Sequence, residues 1–272
     1  MAVTMADIQK LRKMTGAGMM DCKNALTEAN GDFDKAVEII RKKGQAVAAK
    51  REDREAGEGC VLAKTEGDFA AVVALNCETD FVAKNEEFIA LTQLILDTAM
   101  EHKPETREAL LSIEVEGRTV EQLILDRVGT TGEKMELGDY QFINAPTVTS
   151  YIHMGNRLAT IVGFNKEDAD ATVARDIAMQ VAAMNPIAVD IEGIPAEAKE
   201  RELNIAREKA AQEGKPEHLL DRIAEGSLNK FYTEVTLLKQ ASVKDNKLSI
   251  EEVLKQADKE LTVTGFKRVS LS

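Results

Sequence analysis

Two apolar runs, Phe69 to Leu75 and Leu158 to Phe164, constrain this chain more than any other feature, because each opens the same succession of elements. Each is short and almost wholly apolar, the pattern of a buried strand. Each ends at an asparagine, Asn76 or Asn165, and leads through a loop to a helix-like segment ending at a methionine, Met100 or Met184. In the first of these segments Phe88, Leu91 and Ile95 recur at helical spacing. Both units then close alike. Thr119 to Val128 reads as a helix before the strand-like Glu136 to Ile143, and Ser249 to Ala257 as a helix before Leu261 to Val269. A duplicated unit of this kind predicts an α+β core of two related subdomains, 60–147 and 148–272, with antiparallel sheets and helices over one face.

The copies differ in two places. Asparagine and methionine are 24 residues apart in the first copy and 19 in the second, so the first carries about five extra residues, placed near Thr79 to Val82. Thr79, Asp80, Phe81 and Val82 form a polar pair and an apolar pair between strand and helix. Two readings of them stand: Asp80 begins a helical turn and Phe81 folds back onto the core, or Phe81 is offered to a partner. The second copy carries an insertion at about 195–232, heavily charged and split by Gly214 and Pro216. Leu203, Ala206 and Ala210 face Leu220, Ile223 and Ala224 across a thin apolar seam, which predicts a projecting helical hairpin.

Ahead of the core, residues 1–44 read as three short helices. Thr4 is placed as an N-cap before Ile8 and Leu11, and Gly16 to Gly18 ends the first helix. Cys22, Ala25, Leu26 and Ala29 mark the second, which Asn30 and Gly31 break, and Phe33, Ala36, Val37 and Ile40 mark the third. This minimal bundle resembles the ubiquitin-associated type of domain, a binding module. Met19 and Met20 are neighbours, so only one of them can face the bundle core squarely; the other plugs a gap or is free for a partner. Residues 45–59 lack a sustained apolar face and read as a linker, either irregular or helical in part.

Charge and cysteine usage narrow the function. A formal charge of -12 argues against direct nucleic-acid binding, which depends on neutralising phosphates. No apolar run is long enough to span a membrane and residues 1–15 lack a signal-peptide core, so the expected location is cytoplasmic. Cys22, Cys60 and Cys77 are odd in number and follow no metal-ligand spacing, which predicts reduced thiols and no metal of the protein's own. Cys77, Asp80 and His153 could be assembled on paper as nucleophile, orienter and base, but nothing in their spacing requires it. Gly16 to Gly18 lacks the Gly-Lys-Ser/Thr ending of a phosphate loop, so no nucleotide cofactor is expected.

Three stretches carry a resemblance to a known family: Met14 to Lys23 (MTGAGMMDCK), Asn30 to Asp32, and Thr79 to Val82. The similarity continues through Tyr151 to His153, Asp176 to Ala183 and Val263 to Phe266, and so covers essentially the whole chain. Together they resemble elongation factor Ts, the guanine-nucleotide exchange factor of the GTPase elongation factor Tu. The resemblance implies a non-enzymatic protein that binds the GDP-loaded and nucleotide-free GTPase. In it, Phe81 is a wedge and Asp80 its polar anchor, flanked by Thr79 and Val82, acting near the partner's Mg2+. It also implies partner contacts at Arg12, Met19, Met20 and Lys23, at Val128 and Gly129, and at His153. The family's helical arm serves in dimerisation, so a homodimer through the hairpin is one implied arrangement and a solvated hairpin closed by its own seam the other. Two departures are visible. Met154 to Arg157 differ from the commoner small-residue pattern after this histidine, and the helical module that many relatives carry beyond Val263 to Phe266 does not follow here.

Overall fold

Every residue from Phe69 to Leu75 is buried because both faces of its strand are covered. The computed structural model describes residues 3–271, just inside the outer bounds 1 and 272 drawn from the sequence. Strand β1 (Glu58–Glu66) pairs antiparallel with β2 (Phe69–Cys77). Helix α4 (Asp80–Ala83) is a single turn, followed by α5 (Glu86–His102), α6 (Arg107–Ser112), the two-residue strands β3 (Glu114–Val115) and β4 (Arg118–Thr119), and α7 (Val120–Thr131). Strand β5 (Met135–Asn144) then returns to the other edge of β2, giving the sheet order β1-β2-β5.

The second half repeats this path. Strands β6 (Thr147–Ile152) and β7 (Leu158–Phe164) form an antiparallel hairpin, and α8 (Ala171–Met184) follows. Helices α9 (Ala196–Gln212) and α10 (Glu217–Val235) fold back on each other around the buried Ala206, Ala210 and Ala224. Helix α11 (Ile250–Ala257) leads to β8 (Val263–Ser270), and the sheet order is β6-β7-β8. In both sheets the ladder between central and last strand slips once near the end of the central strand, after Ala74 in one and Gly163 in the other. The fold is α+β, as the sequence predicts.

Strand alternation divides the core into layers. Phe69, Ala71, Val73, Leu75 and Cys77 pack beneath α5 with Phe88, Ile95, Leu96 and Ala99. The alternate residues Ala70, Val72 and Ala74 meet Ala159, Ile161 and Val269 of the second sheet. Small side chains on this inner face let the sheets approach closely. The limit is reached at Gly163, where a Cβ would lie 2.8 Å from Ala145 Cβ and 2.9 Å from Ile143 Cγ2. On the outer face of the second sheet, Val162 and Phe164 pack with Ile177, Val181, Leu237 and Leu254. The order is therefore helix, sheet, sheet, helix.

The surplus in the first copy falls where the sequence reading places it. Nine residues, 77–85, separate Asn76 from α5, against five, 166–170, between Asn165 and α8, while Met100 is the fifteenth residue of α5 and Met184 the fourteenth of α8. About four of the five extra residues therefore precede the helix, around the tip, and one lies within it.

The N-terminal helices are α1 (Met5–Thr15), α2 (Met19–Glu28) and α3 (Phe33–Lys50). Thr4 caps α1 in a capping box whose second member is Asp7, and Ile8, Leu11, Cys22, Leu26 and Ala36 form the bundle core. Helix α3 does not stop at Gly44. It continues through the first part of the segment read as a linker, to Lys50. Gly44 is buried within it because α7 crosses there: a Cβ on Gly129 would lie 2.8 Å from Gly44 Cα. Two glycines facing each other bring the backbones together, so this glycine is a contact rather than a helix stop. Among the described residues no helix is long and apolar enough to cross a membrane.

Candidate partner-binding site

The tip is an exposed aromatic ring on a short turn whose two ends are fixed. Thr79 is the N-cap of α4, its hydroxyl accepting from the Val82 amide at 3.4 Å. The helical turn thus forms where the bland reading placed it, with Thr79 as cap. The ring does not fold back: Phe81 is 83% exposed. Val82 and Ala83 are the half-buried residues that pack on the core, so the turn is seated through them and Phe81 points away. Asp80 pairs with Lys84 at 2.6 Å, and this hydrogen bond holds its carboxyl below the usual range.

The entrance to the tip is clasped by the loop after α7. The Thr79 amide and hydroxyl both donate to the Glu133 carboxylate, at 3.1 and 2.7 Å. In return the Lys134 amide donates to Glu78 at 2.6 Å, and Arg51 at the end of α3 grips the Glu78 carboxylate with one nitrogen on both oxygens, at 3.0 and 2.9 Å. Partial burial pushes the Glu78 carboxyl up, but the Lys134 amide and the Arg51 guanidinium outweigh it and leave the group below its ordinary value. The exit is held by α7 itself. Arg127, with its side chain only 13% exposed, donates to Asn85 Oδ1 at 2.9 Å and pairs with Glu87, while Asn85 caps α5. None of Glu78, Glu133, Arg127, Arg51 and Lys134 stands out in the sequence. Glu133 is 54 residues from Thr79, and no local pattern relates them.

The other residues suggested by resemblance fall into three groups. Arg12, Met19, Met20 and Lys23 are exposed around the turn between α1 and α2. Met19 and Met20 are 42% and 64% exposed, so neither plugs the bundle, contrary to the expectation that one would. Val128 is different: its side chain is buried in the core beneath α5. Gly129 is pressed against Gly44, so these two positions hold α3 to the core. His153 is exposed just after β6 and shares a 3.0 Å hydrogen bond with the Tyr151 hydroxyl. It borders an apolar hollow of about 290 Å³ lined by Tyr151, Leu158, Met179, Ala182, Ala183 and Val243.

The paper triad is not assembled. Burial, reinforced by Glu133, pushes the Cys77 thiol up to about 12, and the thiol donates to the Thr79 carbonyl at 3.2 Å. It is protonated at neutral pH and is no nucleophile. Asp80 is engaged with Lys84 and His153 with Tyr151. Cys22, Cys60 and Cys77 are all buried and free. Among the described residues no three His, Cys, Asp or Glu side chains are grouped to hold a metal ion. Cys77→Ala is accordingly expected to cost about 1 kcal/mol of stability through lost packing and one weak hydrogen bond, measured by thermal unfolding, and to leave partner-directed activity intact.

An outward aromatic ring on a turn clasped at both ends is the geometry of a binding surface. A family model described as Elongation factor TS matches residues 78–272. Curated proteins named Elongation factor Ts match the whole chain. The protein of Porphyromonas gingivalis is 62% identical over 273 aligned residues, covering 100% of this chain and 99% of its own. That of Azobacteroides pseudotrichonymphae is 56% identical over 272, and that of Bacteroides fragilis 48% over 328, with the same coverage. The chain belongs to the elongation factor Ts family, and it is not an enzyme.

Proposed function

We propose that this protein binds the GTPase elongation factor Tu, in GDP-bound and nucleotide-free forms, and promotes release of GDP during translation elongation by inserting Phe81 near the partner's Mg2+ and phosphate region. The observation that carries the reading is the combination at Phe81: a large apolar side chain left 83% exposed on a turn held at both ends. A ring so placed has nothing to bury against within its own chain. Mg2+ demands near-ideal octahedral ligation, so a small displacement of the elements around it weakens the ion's hold and with it the hold on the nucleotide.

Magnitude limits what Phe81 does alone. A thousandfold acceleration needs about 4 kcal/mol of preferential stabilisation of the opened partner, and burying one Phe supplies about 1.5 to 3 kcal/mol. The remainder comes from surfaces that grip the nucleotide-free partner better than the loaded one, and linkage makes that preference reciprocal. The exposed Arg12, Met19, Met20 and Lys23, and His153 beside its apolar hollow, are the surfaces that support this part of the reading. Ile205, 52% exposed on α9 outside the hairpin seam, supports the further reading that the hairpin pairs with a second copy.

The test is the loss of a fluorescent GDP analogue from elongation factor Tu with and without this protein. Acceleration by two orders of magnitude or more supports exchange, on the scale that the binding terms above allow. Release at the uncatalysed rate despite demonstrated binding sinks it in favour of a simple adaptor.

A further inference from the structure

Both ends of the tip are held by one element that the sequence does not connect with it. Helix α7 and the loop after it supply Glu133 to the entrance and Arg127 to the exit. The polar atoms of Thr79 are fully employed. Its amide and hydroxyl donate to Glu133, its hydroxyl also accepts from the Val82 amide, and its carbonyl accepts from the Cys77 thiol. An isolated four-residue turn is far too short to persist in water by itself, because helix nucleation is unfavourable and only tertiary contacts repay it. The direction in which Phe81 points is therefore set by what holds the turn from outside, the packing of Val82 and Ala83 on the core and the hydrogen bonds at residues 79 and 85.

We propose that Glu133 and Arg127 are positioning residues for Phe81, bracketing the tip so that the ring meets the partner already aimed. The proposal rests on the reading of Phe81 as the exchange element. Glu133 acts through Thr79 and Arg127 through Asn85, and neither needs to touch the partner. Pre-organisation of this kind affects the step in which the ring displaces partner elements more than the encounter that precedes it. Removing the bracket leaves the turn seated through Val82 and Ala83 alone, so that Phe81 spreads over a wider range of directions.

The experiment measures GDP-analogue release from elongation factor Tu over a range of protein concentrations, for Glu133→Ala and Glu133→Gln in the wild-type and Phe81→Ala backgrounds. Glu133→Ala is expected to lower the saturating rate about tenfold while leaving the half-saturating concentration in place. Glu133→Gln keeps one oxygen for the Thr79 hydroxyl and puts an amide donor opposite the Thr79 amide, so it is expected to fall between wild type and alanine. In the Phe81→Ala background the Glu133 substitutions are expected to have no further effect. Equal losses in both backgrounds would show a general structural role and overturn the proposal. So would wild-type rates in a Glu133 variant whose Phe81→Ala counterpart is slow. If Phe81→Ala alone releases GDP at the wild-type rate, the reading of the tip fails, and the positioning role with it.

Discussion

Phe81→Ala is expected to slow stimulated GDP release about ten- to a hundredfold at saturating protein, with thermal unfolding unchanged to within about 0.5 kcal/mol. The two halves of this expectation have one cause. Because the ring is 83% exposed, its removal takes nothing from the folded core, while Val82 and Ala83 still seat the turn. In the proposed complex the same ring passes from water into the partner, a transfer of about 1.5 to 3 kcal/mol that alanine forfeits almost completely. If that energy is realised only as the partner's nucleotide site opens, it appears in the rate and not in the encounter. A fold-neutral variant with a large kinetic defect separates a presented side chain from a core residue.

Gly129→Val is expected to raise the half-saturating protein concentration by about tenfold or more and to leave the saturating rate near that of the parent. Even a Cβ at Gly129 would come 2.8 Å from Gly44 Cα, and backbone cannot move aside as a flexible side chain would. Helix α3 must swing away from α7, at a cost typical of overpacking, about 1 to 3 kcal/mol. The N-terminal bundle keeps its own core of Ile8, Leu11, Cys22, Leu26 and Ala36 and stays folded. It loses its fixed relation to the tip, so Met19, Met20 and Phe81 no longer engage one partner as a pre-assembled surface. Gly44→Leu tests the same crossing from a position that the family resemblance does not place against the partner. A wild-type half-saturating concentration in both variants would show that the docking of α3 is immaterial to binding.

The sheets were legible because their pattern is local. A strand covered on both faces must be apolar at every position, and Phe69 to Leu75 meets that demand residue by residue. The repeat was visible for the same reason, since Asn76 and Asn165 mark equivalent strand ends and Met100 and Met184 equivalent turns of α5 and α8. Glycine was less informative. The sequence cannot distinguish Gly44, which admits a crossing helix, from Gly16, which takes a left-handed conformation and ends α1, because both are glycine after a helical run. Hence the sequence leaves open how far into 45–59 the third helix runs, and the structure carries it to Lys50. Of the two readings of Met19 and Met20, the free methionine holds and extends to both, because the small bundle fills its core with Leu11, Cys22 and Leu26.

At the tip, residue type made Phe81 a candidate and geometry alone showed that its ring points outward. The helical turn at Asp80 and the candidate Phe81 were readable, but the side chains that bond the two ends of the turn, Glu133 and Arg127, lie 54 residues from Thr79 and 42 from Asn85. Tertiary hydrogen bonds at such separations leave no periodicity to find.

Whether Phe81 drives release or merely adds affinity is decided by titrating elongation factor Tu carrying a fluorescent GDP analogue with wild-type and Phe81→Ala protein in a stopped-flow instrument. The plateau rate is expected to fall about tenfold or more in the variant and to be reached at a similar protein concentration. An unchanged plateau, reached only at higher concentration, would reduce Phe81 to one contact among many.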